Sequence, residues 1–545
     1  MKAQRQPDLA TLHEAIAERR PHEPCFIGPD RTYSWQEITN RSRKVASILR
    51  GAGLGFHRDR VVPDQPWRSP HDHLALLLHN GVEYLESLLG AHKARVAPFN
   101  VNFRYTAEEL AAVFRDAAPA AIVYHARLAP ALEQALRGVS ARPLLLQVAD
   151  DSGIDLVAGA IDYEAALAGA EAAELDPEPS PDDLHLLYTG GTTGAPKGVM
   201  WRIGDLVCGP LGVRDGGGAP LELEEAVARA VANNAGRVLT GPPFMHGAGT
   251  WFALGGWLSG AAVVMQRRPV RFDPADLLDT CERNGVTSVM IVGDAFASPL
   301  VEELRRAPRD LPELRVILNS GAPMRAELQA ALEELAPGAR LVDTLGSSET
   351  GQQATRSGSA SRTFQPRGRA VVLDARRSRA LAPGDPESGW LAQGGTIPLG
   401  YLNDEAKTRA TFITLDGTRY AVPGDRARLL ADGSIELLGR ESTTINTGGE
   451  KVFAEEVEAV VRSVPGITDA VVVGRPSPRW GQEIVAVIEV DPDTTLSDDD
   501  LRLRIARSLA RYKLPKAFVR VPEVQRHPNG KSDYRWAQRA AREVA

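Results

Sequence analysis

The stretch Tyr188-Thr189-Gly190-Gly191-Thr192-Thr193-Gly194-Ala195-Pro196-Lys197-Gly198-Val199 gathers four glycines, three threonines and one lysine in one short window. The apolar run 184–188 before it reads as the end of a strand. A chain built this way must lead a strand end into a loop whose backbone N–H groups turn inward. Glycine permits that turn because no Cβ obstructs it. Threonine hydroxyls and the Lys197 ammonium add further donors for an anion. The window has the composition of a phosphate cradle. It is not a Walker A loop, because Lys197 is followed by Gly198 and not by Ser or Thr.

The loop lies within a chain of 545 residues. Its length suits several domain-sized units. Short apolar strands at 121–124, 143–148, 263–266, 286–292 and 314–319 alternate with helical stretches, which predicts α/β layers with largely parallel sheets. Ser34 with Glu37 three residues later predicts a capping box, and Asn80 is a plausible N-cap for a helix to His92. The segment 55–73, rich in charge, Pro and His, reads as a loop insertion. Short antiparallel strands are expected in 359–386. After Gly439 the texture changes to a small α+β unit with helices at 454–464 and 497–511. The expected domains are 1–440 and 441–545, with the hinge near 440–443.

Composition excludes several classes. The net charge of −7 gives no reason to expect nucleic acid as a partner. Three cysteines without paired spacing fit a reducing cytosol and no zinc site. The longest mainly apolar run, 251–265, contains glycines and is too short to span a bilayer. From Arg502 to Arg542 twelve basic residues stand against two acids, a surface suited to a polyanion.

Five further segments carry chemistry. Asn319-Ser320-Gly321-Ala322-Pro323 follows a strand and leaves room for a flat ligand. Asp343-Thr344-Leu345-Gly346-Ser347-Ser348-Glu349 sets a carboxylate among hydroxyls and glycines, a combination that can hold Mg²⁺. Pro423-Gly424-Asp425 offers an acceptor for two ribose hydroxyls. Arg440, then Gly448 and Gly449, suits a hinge with a backbone surface beyond it. Pro528-Asn529-Gly530-Lys531 presents a lysine at a tight turn.

In this order and spacing the six segments resemble the adenylate-forming superfamily, which includes acyl-CoA synthetases. The resemblance covers nearly the whole chain. Segments such as Asn100-Val101-Asn102-Phe103-Arg104-Tyr105 and Ile445-Asn446-Thr447-Gly448-Gly449-Glu450-Lys451 are most similar to actinobacterial CoA ligases for steroid side-chain or diterpenoid acids. The resemblance implies a large N-terminal domain of layered sheets with a small β-rich subdomain, and a mobile α+β C-terminal domain. It implies ATP, Mg²⁺ and coenzyme A, a carboxylic acid substrate, a cytoplasmic setting and a possible homodimer.

The same resemblance assigns roles. Thr189, Gly190, Gly191, Thr192, Thr193, Gly194 and Lys197 would hold the phosphates, and Glu349 the metal. Gly321, Ala322 and Pro323 would face adenine, beside Leu345, Gly346, Ser347 and Ser348. Asp425 and Arg440 would hold the ribose. Lys531 would bridge the carboxylate and the α-phosphate. Phe244, His246, Gly249, Trp251 and Gly321 would line the acyl side, with His246 near the CoA entry. The small domain would swing about Ser442 and bring Gly448 and Gly449 to the pantetheine. Gly247, Gly249, Gly255 and Gly256, with Trp251, Phe252 and Trp257, suggest a wide apolar wall for a bulky ring-bearing acid. Departures from the pattern leave open an enzyme specialised for thioesterification of a preformed adenylate: Leu345 where an aromatic is usual, Ser442 at the hinge, the insertion, and Arg95 where relatives usually have Gly, a left-handed position that would strain arginine. A ligase loading a free carrier protein is a separate alternative.

Overall fold

The computed structural model describes residues 6–139, 142–191, 194–233, 235–358, 361, 363–440, 443–447, 450–477, 481–509, 513–527 and 530–543. Thr192, Thr193, Ser442, Gly448 and Gly449 fall outside them, as do the side chains of Arg440, Glu450 and Lys451.

Two large sheets form the body. In the first, of nine strands, the parallel core is Ala262–Val264, Arg237–Thr240, Ser288–Ile291, Val316–Ser320 and Arg340–Ser347. In the second, of eight strands, Ala97–Asn100, His73–Leu77, Ala121–His125 and Leu144–Val148 run parallel. The hairpin of Leu184–Gly191 and Gly194–Arg202 extends that sheet, and Gly400–Tyr401 closes its edge. Helices Pro274–Asn284, Gly293–Arg306 and Ala326–Leu335 cover one face of the first sheet with a leucine- and valine-rich core. The largest core joins the two sheets and fully buries Trp35, Trp201 and Trp257. Truncating any of these to alanine would cost about 3–5 kcal/mol.

A six-stranded antiparallel sheet built from 369–440 is the small β-rich subdomain. The C-terminal unit has its own five-stranded sheet, with helices Ala454–Arg462 and Tyr534–Glu543 packed on opposite sides.

The Ser34–Glu37 capping box forms as the sequence predicts. Two local expectations do not hold. The helix after Asn80 runs Val82–Lys93 with Gly81 as N-cap. Asn80 instead accepts from Phe244 N at 2.6 Å and donates to Pro242 O at 3.3 Å, so its carboxamide serves a distant loop. The helix predicted for 497–511 ends at Ile505, where 506–508 pass into turns.

Arg95 does adopt a left-handed conformation, φ +58°. For a non-glycine residue this costs about 1–2 kcal/mol. The strain is offset by a bidentate ion pair to buried Asp183, with Nη2 to Oδ1 at 2.7 Å, and by the guanidinium lying over Phe56 at 4.6 Å. Phe56 belongs to the insertion, and its partner His71 also reaches Asp183, at 3.1 Å. The insertion is thus a docked loop that braces Arg95.

Hydrogen bonds from His71, Arg95 and Ser180 outweigh burial and hold the Asp183 carboxyl down to about 2. Its unfolded value is near 3.8. Because the folded value is depressed, the stabilisation is full above about pH 4 and fades as pH falls toward 2, amounting to about 2 kcal/mol. Urea midpoints of the wild type and Asp183→Asn should therefore differ at pH 6, and the gap should narrow below pH 4 and close as pH approaches 2. A constant gap would contradict this assignment.

Candidate active site

The carboxyl ends of the parallel strands of both sheets meet at one seam, where open α/β sheets place ligands. Two buried asparagines join the sheets there. Asn100 donates to Tyr188 O at 2.8 Å and to Met245 O at 2.6 Å, and accepts from Tyr188 N at 2.8 Å. Asn80 holds Pro242 and Phe244 as described above. The phosphate-loop hairpin and the loop carrying His246 are thereby fixed to each other.

Thr189 pairs with Lys197 across the hairpin, and the register slips at Gly190 to form the bulged tip. Tyr188 closes the base by donating to Asp116 at 2.6 Å. Lys197 Nζ donates to Asp404 Oδ2 at 2.9 Å. Asp404 also caps the helix Glu405–Thr411, and neighbouring Asn403 accepts from Arg68 and donates N–H to Trp67 O, both in the insertion. The edge Gly400–Tyr401 pairs with Met200 and Val199. Tyr401 donates to Glu349 Oε1 at 2.7 Å, and Trp201 Nε1 donates to Ser348 O at 2.9 Å. Hairpin, Glu349 loop and insertion therefore form one linked frame. Asn80, Asn100, Tyr401 and Asp404 act across large sequence separations, so no local pattern announces them.

Glycines show where space is kept. Gly321, at φ +85°, has only Val292 near a would-be Cβ, at 3.7 Å. Gly346 is different: a Cβ would sit 2.1 Å from Gly351 O, so this glycine lets two backbone segments touch. Asn319 organises the adjoining loop, donating to Ala322 O and Asp343 and accepting from Gly293 N. Pro323 lies beside Gly293, and Leu345 packs toward the β-rich subdomain. Asp425 lies directly across from Arg440 in neighbouring strands. Among the described residues no group of three or more His, Cys, Asp and Glu side chains can hold a metal. Glu349 therefore suits Mg²⁺ only if phosphates and water supply most of the ligands, which is how this ion is usually held.

The expected acyl wall needs correction. Phe244 is fully buried against Tyr84 and contributes its carbonyl, which accepts from Tyr84, instead of its ring. A Cβ on Gly249 would lie 2.7 Å from Pro243 O, on Gly247 2.7 Å from Leu187, and on Gly256 2.4 Å from Val238. These glycines permit close helix packing and do not open a wide surface. Trp257 is core, tied to Cys25 O. Trp251 is half-buried, edge-on to Trp201, and its indole N–H is buried without a partner.

His246 precedes the helix Gly247–Leu258, and its buried Nε2 also has no partner. Burial first, then the positive charges of Lys531 and Arg104, bring its pKa down to about 4. The turn before Lys531 and the loop before His246 border the same cavity, through Gly530 and Pro243. Gly530, at φ +78°, rests against Ala295 and Val292 of the large domain. Arg526 holds the turn by donating to Gly530 O and Ser532, and is itself fixed by a bidentate pair to Asp469. Between the two units lies a cavity of about 190 Å³, bounded by Gly241, Pro243, Phe272 and Phe296 on one side and Arg526 and Gly530 on the other.

Residues 13–395 match the model of AMP-binding enzymes, and 456–531 match the AMP-binding enzyme C-terminal domain. The chain belongs to the AMP-binding enzyme family. It is an AMP-forming acyl-CoA ligase, 43% identical to a medium-chain acyl-CoA ligase, Mig, of Mycobacterium avium over 98% of both chains. It is 33% identical to the 3-oxocholest-4-en-26-oate–CoA ligase of Rhodococcus rhodochrous, covering 97% of this chain and 95% of that one. The ligase shares its fold with anthranilate CoA ligase AuaEII in complex with anthranoyl-AMP, with a TM-score of 0.81, 20% identity and coverage of 99% and 98%. The family implies ATP and CoA. No helix among the described residues of the ligase is long and apolar enough to cross a membrane.

Two glycine variants separate space from packing in this ligase. Gly321→Ala should cost about 1–2 kcal/mol of stability through its left-handed backbone and raise the ATP or acid KM. Gly346→Ala should destabilise more, because backbone meets backbone; thermal melts and KM values of both variants check this. Because His246 is held near 4, its imidazole is neutral at neutral pH. The activity–pH profile should carry no His246 inflection near the ordinary value of about 6.5. An inflection there that His246→Gln removes would contradict the assignment.

Proposed function

We propose that this ligase activates an apolar, medium-sized carboxylic acid as its adenylate and passes the acyl group to the CoA thiol. The supporting observation is the convergence at one seam of the Lys197 hairpin, the Gly321 opening, His246 and the Lys531 turn, beside a partly apolar cavity. Phosphoryl-type chemistry depends mainly on positioning and charge. Lys197 and the backbone around Thr189 and Gly190 hold the β- and γ-phosphates. Asp425 and Arg440 take the ribose, and the Gly321–Pro323 edge takes adenine. Lys531 draws the carboxylate oxygen to the α-phosphorus and offsets the charge that grows as pyrophosphate leaves. Glu349 would hold Mg²⁺, which when bound would offset the charge of the pyrophosphate.

In the second step the thiol sulfur attacks the acyl carbon and AMP departs. The small domain withdraws the Lys531 turn by rotating near Ser442, and Gly448 and Gly449 flank the pantetheine. His246, neutral and with an unpartnered Nε2, would meet the thiol at the CoA entry as a hydrogen-bond acceptor.

A cavity of about 190 Å³ exceeds the roughly 150 Å³ that accepts benzene. It suits a medium chain or a single ring. A steroid side-chain acid is the second reading, favoured by relatives such as the Rhodococcus rhodochrous enzyme; there the side chain would fill the cavity.

Lys531→Ala should slow adenylate formation by about 10²–10³, the range for one well-placed donor, and spare thioester formation from supplied acyl-adenylate. Pyrophosphate release and thioester mass spectrometry measure the two halves. Equal loss in both would reject the role given to Lys531.

A further inference from the structure

The turn that carries Lys531 is held by a side-chain relay inside the small domain. Arg526 and Ser532 bridge as an antiparallel pair, His527 N–H donates to Lys531 O at 2.8 Å, and Gly530 N–H donates to His527 O at 2.8 Å. One edge of the Arg526 guanidinium serves this turn: Nη1 donates to Gly530 O and to Ser532 Oγ, both at 3.2 Å. Those acceptors belong to the residues directly before and after Lys531. The remaining edge is committed to Asp469, with Nε donating to Oδ2 at 2.7 Å and Nη2 to Oδ1 at 2.6 Å. Asp469 lies in the strand Ile467–Ser477, within the small domain's own sheet, and Arg462 Nη1 stands 3.9 Å from the same Oδ1. A carboxylate fixed on a strand thus orients a planar fork, and the fork orients the backbone on both sides of Lys531. Bidentate pairing sets direction as well as distance. Arg526 lines the cavity between the units and Asp469 is not among its lining residues, so Asp469 bears on the reaction through Arg526.

We infer that Asp469 is a positioning residue for the adenylation step: it locks Arg526, and through it the Lys531 turn, in the arrangement that presents the ammonium to the reacting carboxylate and α-phosphate. The inference rests on the role given to Lys531 above. The relay lies wholly within the small domain, so the turn is shaped before it meets the large one. Without Asp469 the fork can rotate, and both neighbours of Lys531 lose their fixed donor. A misplacement of about 1 Å in a reacting geometry costs on the order of 10²-fold in rate. In the thioester step Lys531 is withdrawn, so the relay is dispensable there.

The test is a double-mutant cycle on the full-length enzyme: wild type, Asp469→Asn, Lys531→Ala, and both together. Adenylation is followed by pyrophosphate release with decanoic acid and ATP. Thioester formation is followed by mass spectrometry from supplied decanoyl-adenylate and CoA. Asp469→Asn alone should lower the adenylation kcat by about 10- to 100-fold, with little change in KM, and leave the thioester half at the wild-type rate. In the Lys531→Ala background the same substitution should have no further effect, because no ammonium is left to place. Asp469→Glu, which keeps the charge, should recover part of the loss. Arg526→Lys keeps a cation beside Asp469 but lacks the second edge. It should reproduce the adenylation-selective, Lys531-dependent loss even where Asp469→Asn lowers the melting temperature. A merely structural role would slow both halves and would add to the Lys531→Ala loss. Additive losses for both Asp469→Asn and Arg526→Lys, or undiminished adenylation in both, overturn the inference. Undiminished adenylation in Lys531→Ala itself overturns the reading of Lys531, whereas the expected Lys531→Ala loss with an additive Asp469→Asn loss removes the positioning role alone.

Discussion

Everything at the active seam depends on two buried carboxamides. Asn80 and Asn100 leave the second sheet near adjacent strand ends and bind the loop that follows Arg237–Thr240 in the first. Each serves both as donor and as acceptor to buried backbone groups, whose burial unpaired would be costly. Two independently hydrogen-bonded sheets thereby acquire a single relative position. The phosphate hairpin and the His246 loop are positioned by this joint before any ligand arrives.

A second frame extends outward from it. Lys197 is held by Asp404, Tyr401 by Glu349, and Asn403 by the insertion. The acid and the cation of this frame are both partly exposed, so the Lys197–Asp404 pair contributes little stability. Its effect is on direction: it holds the ammonium at the base of the loop instead of leaving it to sample solvent.

Much of this was legible in the chain. Strand–helix alternation, the Ser34–Glu37 cap and the glycine–threonine loop are local signals, and local physics reads them. The glycines from Gly247 to Gly256 were not, because a missing side chain looks the same whether it opens space or lets backbones touch. Gly249 does the second, against Pro243. Asn80 resembles an N-cap because its neighbours are helical, but its partners lie more than 160 positions away. Phe244 reads as pocket lining beside His246, yet the strand-to-helix turn points its ring into the core.

The arrangement at Arg95 has an evolutionary consequence. Arginine in that backbone conformation has its strain offset by Asp183 beneath it and Phe56 across it. Phe56 arrives with the docked insertion. The loop, the arginine and the aspartate are therefore energetically coupled, so losing the loop makes glycine at this position more favourable than it is here.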